Sequence, residues 1–202
     1  MVGRQFVALV IRVRFSIPAP ERQYMNIVFL DIDGVVNTLM IDTEPFKLRR
    51  DNIKREGFYY KLNMPGDMEV SNRQAIMWLN KLCKETNAKI VITSTWRMGE
   101  NGFENTKSAL YNSGLMVDIE VIDATPILKN PSDMKIRGHE IQMWLDNHKD
   151  ILNYVILDDD SDMLEEQLNH LVIVNTHYGF GLPDYLKALE MLGQPASKGS
   201  SA

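Results

Sequence analysis

Two aspartates, Asp31 and Asp33, stand two residues apart at the end of the apolar run NIVFL. On an extended backbone residues i and i+2 share a side, so both carboxylates would face the same way and repel each other. A divalent cation relieves that repulsion. Asp158 and Asp159 close another apolar run, YVIL, and could carry one or two more oxygen ligands to the same place. An all-oxygen acidic site suits Mg²⁺. A further run, KIVIT, ends on Thr93 and continues into the hydroxyls of Ser94 and Thr95. A single acid at a strand end is most simply a solvated turn or a helix cap. Four on two runs, with Gly34 directly after the first pair, point to a shared site.

The runs that would position these groups alternate with helical patterns. Residues 26–30, 89–93, 116–122, 154–157 and 171–174 read as short strands of the mostly apolar kind buried on both faces. Between them, residues 71–87 repeat apolar positions at helical spacing through Ile76, Leu79, Leu82 and Cys83, with Ser71 able to cap and Asn87 to stop the helix. Ile141, Trp144 and Leu145 mark one face of a helix starting near Gly138, and residues 182–192 read as a closing helix. Parallel strands need crossover connections of about a dozen residues. The pattern predicts a doubly wound α/β domain with a mostly parallel sheet, over residues 25–192. Ligands in such sheets sit beyond the carboxyl ends of the strands, where the hydroxyls and carboxylates lie.

Residues 37–70 break the alternation; they are polar, aromatic and long, and predict a flap or small cap inserted over the site. Residues 1–24 read as an N-terminal extension of uncertain status, with Arg4, Arg12 and Arg14 around a short apolar run and no acid before Glu21. Residues 193–202 lack large apolar side chains and are expected to be a disordered tail.

The 202 residues suffice for one domain with a core. Hydrophobic residues make up 45% and charged residues 24%, which excludes a disordered, collagen-like or coiled-coil chain. A net charge of -5 gives no global attraction to nucleic acid or anionic membranes, so any basic function must be local. No apolar run approaches the roughly 18 residues of a membrane span. The single cysteine, Cys83, can form no intramolecular disulfide and no zinc-ligand spacing. Cytoplasm is the expected compartment. His139, His148, His170 and His177 show no metal-ligand spacing, and Trp96 and Trp144 are expected in the core or as walls.

The segment IVFLDIDGVVNT, residues 27–38, resembles the first signature of the haloacid dehalogenase-like (HAD) phosphohydrolases, in which an apolar strand runs into Asp-x-Asp-Gly. IVITSTWR, residues 90–97, resembles the second, a strand ending in Ser or Thr. KIRGHEIQMWL, residues 135–145, can supply the third, a basic residue at a helix start, and VILDDDSDM, residues 155–163, resembles the fourth. The combination of STWR, RGxEIxxWL and LDDD is closest to the small subgroup found beside RNA-repair enzymes. A response-regulator receiver gathers similar groups, but its paired acids come first in the chain, whereas here they come last.

The resemblance implies a phosphatase with Asp31 as nucleophile and Asp33 as general acid and base. It implies Mg²⁺ held by Asp31, the Asp33 carbonyl and Asp158 or Asp159, with Gly34 at the phosphate. Ser94 would bind a phosphoryl oxygen, with Thr93 and Thr95 as one-residue alternatives. Lys135 or Arg137 would supply the phosphate-binding cation: the guanidinium fork of Arg137 suits a phosphoryl group, while lysine is commoner in the family. Three consecutive acids leave the metal ligand open among Asp158, Asp159 and Asp160, and Asp162 reads as a cap or outer acid. A phosphoprotein phosphatase and a non-catalytic binding module on the same fold are the alternatives; a phosphomutase or dehalogenase is disfavoured because Asp33 suits hydrolytic proton transfer.

Within the insertion, residues 47–61 carry Lys47, Arg49, Arg50, Lys54, Arg55 and Lys61 against Asp51 and Glu56, interleaved with Phe58, Tyr59 and Tyr60. Such a segment could hold a nucleotide or nucleic-acid end by charge and stacking, with Arg49 and Arg50 as contacts; its plainer reading is a solvated helix with an aromatic anchor.

Overall fold

The computed structural model describes residues 24–38, 72–128 and 136–193. Residues 1–23 of the N-terminal extension, most of the insertion with Arg49 and Arg50, Lys135, and residues 194–202 of the C-terminal tail lie outside the described residues.

Five strands form one sheet in the order β3-β2-β1-β4-β5: β1 is Met25–Leu30, β2 Ala88–Ile92, β3 Val121–Ala124, β4 Ile151–Asp158 and β5 Leu171–Ile173. All four pairings are parallel, as the doubly wound expectation requires. Helix α1 (Arg73–Thr86) joins β1 to β2, α2 (Gly102–Asn112) joins β2 to β3, α3 (Ile136–Asn147) precedes β4, and α4 (Leu182–Gly193) closes the chain.

Side-chain alternation along β1 divides the core in two. Val28 and Leu30 belong to the larger cluster, with Ile76, Leu79 and Leu82 of α1 and Ala188 and Leu192 of α4. Ile27 and Phe29 belong to the other, with Ile141 and Trp144 of α3. The Phe29 ring meets Trp144 and Tyr154 edge-on, with centroids 5.4 and 5.7 Å away. Full burial of such side chains is worth about 1.5–3 kcal/mol each, which fixes the central strand between its helical layers.

The elements differ from expectation in four places, the first being β4, which begins at Ile151 rather than at residue 154. Helix α1 is capped by Asn72, whose side chain accepts from the Ala75 N–H at 3.0 Å, rather than by Ser71; Asn87 ends it in the left-handed conformation, φ 51°. The third strand begins at Val121, not at residue 116. The Ile119 N–H closes a turn onto the Met116 carbonyl, and Asn80 accepts the Met116 N–H, so backbone groups a strand would need are already committed. Val117 is 90% exposed. Helix α2 was not visible in the sequence because Thr106, Ala109 and Leu110 alone make its buried stripe beyond Gly102.

The chain steps from β1 to β2 on one side of the sheet and later returns to β4 on the other. The crevice at that reversal is where doubly wound sheets bind ligands. In register, Leu30 pairs with Ile92 on one side and Leu157 on the other, so Asp31, Thr93 and Asp158 emerge side by side. The described ends flanking the insertion also meet, since Asn72 donates to the Val36 carbonyl through its N–H at 3.0 Å and to the Thr38 hydroxyl through its side chain at 3.2 Å. Among the described residues, no helix is long and apolar enough to cross a membrane.

Candidate active site

The Asp31 N–H donates to the Leu157 carbonyl at 3.0 Å, and the Thr93 N–H to the Leu30 carbonyl at 2.9 Å, so the ladder holds the first residues beyond the strands. Carboxylate oxygens of Asp31, Asp158 and Asp159 lie within 4.8 Å of one another. Asp31 and Asp158 are buried, Asp159 is half-buried and Asp160 is exposed. Gly34, with φ +78°, permits this approach: a Cβ there would stand 2.2 Å from Asp159 Oδ2. The Thr176 hydroxyl donates to the same Oδ2 at 3.0 Å.

Arg137 reaches this cluster from the first turn of α3. Gly138 lets that turn lie on the chain after β4; a Cβ would meet the Leu164 nitrogen at 2.5 Å. The guanidinium donates to Asp31 Oδ1 and to the Thr93 carbonyl, each at 3.0 Å, and its Nε lies 3.2 Å from Asp158 Oδ2 and 3.6 Å from Asp162 Oδ1. These last two contacts are ion pairs without hydrogen-bond geometry, which leaves Asp158 Oδ2 and Asp162 Oδ1 buried and unsatisfied. One guanidinium thus faces Asp31, Asp158 and Asp162, with Asp159 adjoining.

Electrostatics follow from this imbalance. Burial raises the Asp31 carboxyl, with Arg137, the Ser94 hydroxyl and the Ile32 N–H opposing and Asp33 adding repulsion. Burial pushes Asp158 up to about 7 against the pull of Arg137, helped by Asp31 and Asp162. Asp162 is raised by burial as well. Burial works against the Arg137 charge, but Asp158, Asp31 and Asp162 together outweigh it and hold its pKa high. A buried, converging, oxygen-only donor set with unsatisfied lone pairs and too little positive charge fits a hard divalent cation.

The three hydroxyls after β2 separate clearly. Ser94 is buried with its hydroxyl beside Asp31, where it favours the charged carboxylate, Thr93 is buried and offers its carbonyl to Arg137, and Thr95 is exposed. Asp33 contributes no carboxylate oxygen to the acidic cluster. Its Oδ1 accepts from the Asn37 side chain at 2.6 Å and its Oδ2 from the Trp96 indole at 2.9 Å. Arg97 is buried and donates to the carbonyls of Thr93, Ser94 (2.7 Å), Thr125 (2.9 Å) and Pro126 (3.2 Å) and to Glu140 Oε2 at 2.5 Å. It ties the ends of β2 and β3 to α3. No spacing pattern marks Thr176 or the Trp96 contact, although Asn37 stands four residues after Asp33. Trp144 is in the core as expected, and His148 and His170 stack on Trp144 and Tyr154, with centroids 3.7 and 4.0 Å apart.

Residues 27–185 match the profile of the family described as the HAD domain in Swiss Army Knife RNA repair proteins. The chain belongs to that family. The match spans every strand-end group described above, from Asp31 to Thr176, and makes the chain a HAD-type phosphohydrolase at the level of its family. No curated protein and no solved structure matches this HAD domain. Divalent metal use is typical of HAD domains, and the Asp31, Asp158 and Asp159 cluster is compatible with it.

Proposed function

We propose that this HAD domain is a Mg²⁺-dependent phosphomonoesterase working through an aspartyl-phosphate, with nucleotides or nucleic-acid ends as substrates. The observation that carries this reading is the convergence on Asp31, at the end of the central strand, of the Ser94 hydroxyl, the Arg137 guanidinium and the Asp158 and Asp159 carboxylates. Asp31, Asp158 and Asp159, with the Asp33 carbonyl, would hold Mg²⁺, which when bound supplies positive charge against the phosphoryl oxygens.

A carboxylate oxygen of Asp31 attacks phosphorus as the bond to the leaving oxygen breaks, and protonated Asp33 gives its proton to that oxygen. Asp33, now a carboxylate, takes a proton from water; the water oxygen bonds to phosphorus, inorganic phosphate departs and the Asp31 carboxylate is restored. Ser94 would donate to a phosphoryl oxygen, and Arg137 would balance the charge that the transferred group brings beside Asp31. Lys135 stays the alternative cation. The nucleic-acid substrate class is supported by the family's description and by the basic, aromatic composition of residues 47–61.

Phosphate release should be measured from p-nitrophenyl phosphate, nucleotides and 3′- or 5′-phosphorylated oligonucleotides, with Mg²⁺ and after chelation. Turnover is expected only with metal, with a phosphoryl adduct on Asp31 and none in Asp31→Asn. Full activity after chelation and metal-free dialysis, or undiminished turnover by Asp31→Asn, would overturn the proposal. Preference for small metabolite phosphates over nucleotides and oligonucleotides would overturn the substrate class alone.

A further inference from the structure

A carboxyl group that gives a proton to a leaving oxygen and then takes one from water must stay aimed at the same few cubic ångströms through both steps. Asp33 is half-buried in a loop, where nothing in the backbone ladder fixes its side chain. Two neutral donors grip it instead, Asn37 on Oδ1 and the Trp96 indole on Oδ2. Asn37 sits in the same loop, bridged to Asp33 through the backbone. Trp96 comes from the turn after β2, 63 residues away, and is itself anchored. Its ring packs on the larger core cluster, its backbone N–H donates to the Ser94 hydroxyl at 3.5 Å, and its neighbour Arg97 is locked by bonds to four carbonyls and Glu140.

We propose that Trp96 is a positioning residue for proton transfer: its indole N–H holds Asp33 in the orientation from which it protonates the leaving group. The indole nitrogen suits this task because it only donates. It can neither take up the proton in transit nor reverse its bond when Asp33 changes protonation state, so Oδ2 stays fixed while proton traffic uses the remaining lone pairs. The three residues of one short segment then divide the work. Ser94 serves Asp31, Trp96 serves Asp33, and Arg97 holds the turn that presents both.

This inference rests on Asp33 acting as the acid of the proposed phosphatase. The test compares Trp96→Phe, which keeps an aromatic ring and removes the donor, with wild type on two substrates with Mg²⁺. One is p-nitrophenyl phosphate, whose leaving group needs no proton; the other is a simple alkyl phosphate, whose leaving group does. Because kcat/KM reports only steps through leaving-group departure, alkyl phosphate kcat/KM should fall on the order of tenfold, a part of the roughly 10²–10⁴ supplied by positioned proton transfer. The p-nitrophenyl phosphate value should stay within about twofold. In the Asp33→Asn background, Trp96→Phe should cost the alkyl substrate nothing further.

An equal loss on both substrates, or none on either, would overturn the role of Trp96 while leaving the phosphatase reading intact. No turnover of either substrate by wild type would refute both. Independently of activity and of the folding of Trp96→Phe, the indole ¹H–¹⁵N resonance of Trp96 should move on Asp33→Asn while those of Trp78 and Trp144 stay in place. An unmoved Trp96 resonance would refute the contact on which the role depends.

Discussion

The buried Arg97–Glu140 pair carries a quantitative prediction, because it joins the two edges of the site through groups that have no access to water. The side chains are 2% and 6% exposed. Burial lowers the Arg97 pKa, and the Glu140 carboxylate is the first influence opposing it. Glu140→Gln keeps the volume and can still accept the Leu128 N–H, bonded at 2.9 Å, but leaves the guanidinium without its counter-charge. Stranding one member of a buried pair costs about 3–5 kcal/mol, a large share of the roughly 5–15 kcal/mol that keeps a domain folded. For a chain of this size that corresponds to about 6–20 °C in Tm. A simple buried pair can be replaced by apolar residues at little cost. Arg97 differs, because it also serves the carbonyls of Thr125 and Pro126, while Glu140 accepts from Leu128. The double variant Arg97→Met/Glu140→Leu should therefore remain roughly 2 kcal/mol or more below wild type. Urea unfolding followed by fluorescence, with m-values checked for two-state behaviour, measures both. Glu140→Gln within about 1 kcal/mol of wild type would refute the stranded-charge reasoning, and a double variant as stable as wild type would show that the carbonyl bonds contribute nothing.

Gly34→Ala should weaken Mg²⁺ binding on the order of tenfold or more, because its Cβ would displace the Asp159 carboxylate, while positive φ adds roughly 1–2 kcal/mol of strain to the fold. Calorimetric Mg²⁺ titration and thermal melting without metal separate the two effects, and unchanged affinity would remove Asp159 from the metal site. Burial pushes the Cys83 thiol up to about 12, so near pH 8 the folded protein holds about one part in ten thousand as thiolate, and a disulfide reagent should react at the rate of opening. The unfolded thiol ionises first, near pH 8.5, so this contribution to stability is whole below that pH and is lost as pH climbs toward 12. Rapid labelling of native protein at pH 8 would show that Cys83 is not buried as described.

What the sequence revealed and what it hid have the same physical origin. A parallel strand covered on both faces reads as an unbroken apolar run, and its end is abrupt because the first polar residue marks the sheet edge; Leu30–Asp31 and Leu157–Asp158 are such borders, and register sets them side by side. The same logic misplaced the third strand, since Met116 and Val117 are apolar in type yet exposed on a turn. Beyond a strand end, period-two alternation no longer says where a side chain points. The turn does: Ser94 stays extended at φ −60° and ψ 150°, and the residues after it wind into a single 3₁₀ turn over Thr95–Arg97. Hence the sequence leaves Thr93 and Thr95 as one-residue alternatives to Ser94, while in the fold Ser94 and Thr93 are both buried, Ser94 with its hydroxyl beside Asp31 and Thr93 with its carbonyl on Arg137, and Thr95 is exposed. That turn also brings an aromatic residue of core-like type to Asp33, and no local pattern can encode a contact across 63 residues. The strand ends determine which residues meet at the site, whereas the turn after β2 determines how Asp31 and Asp33 are held, and a polar partner for a tryptophan becomes visible only once both loops are in place.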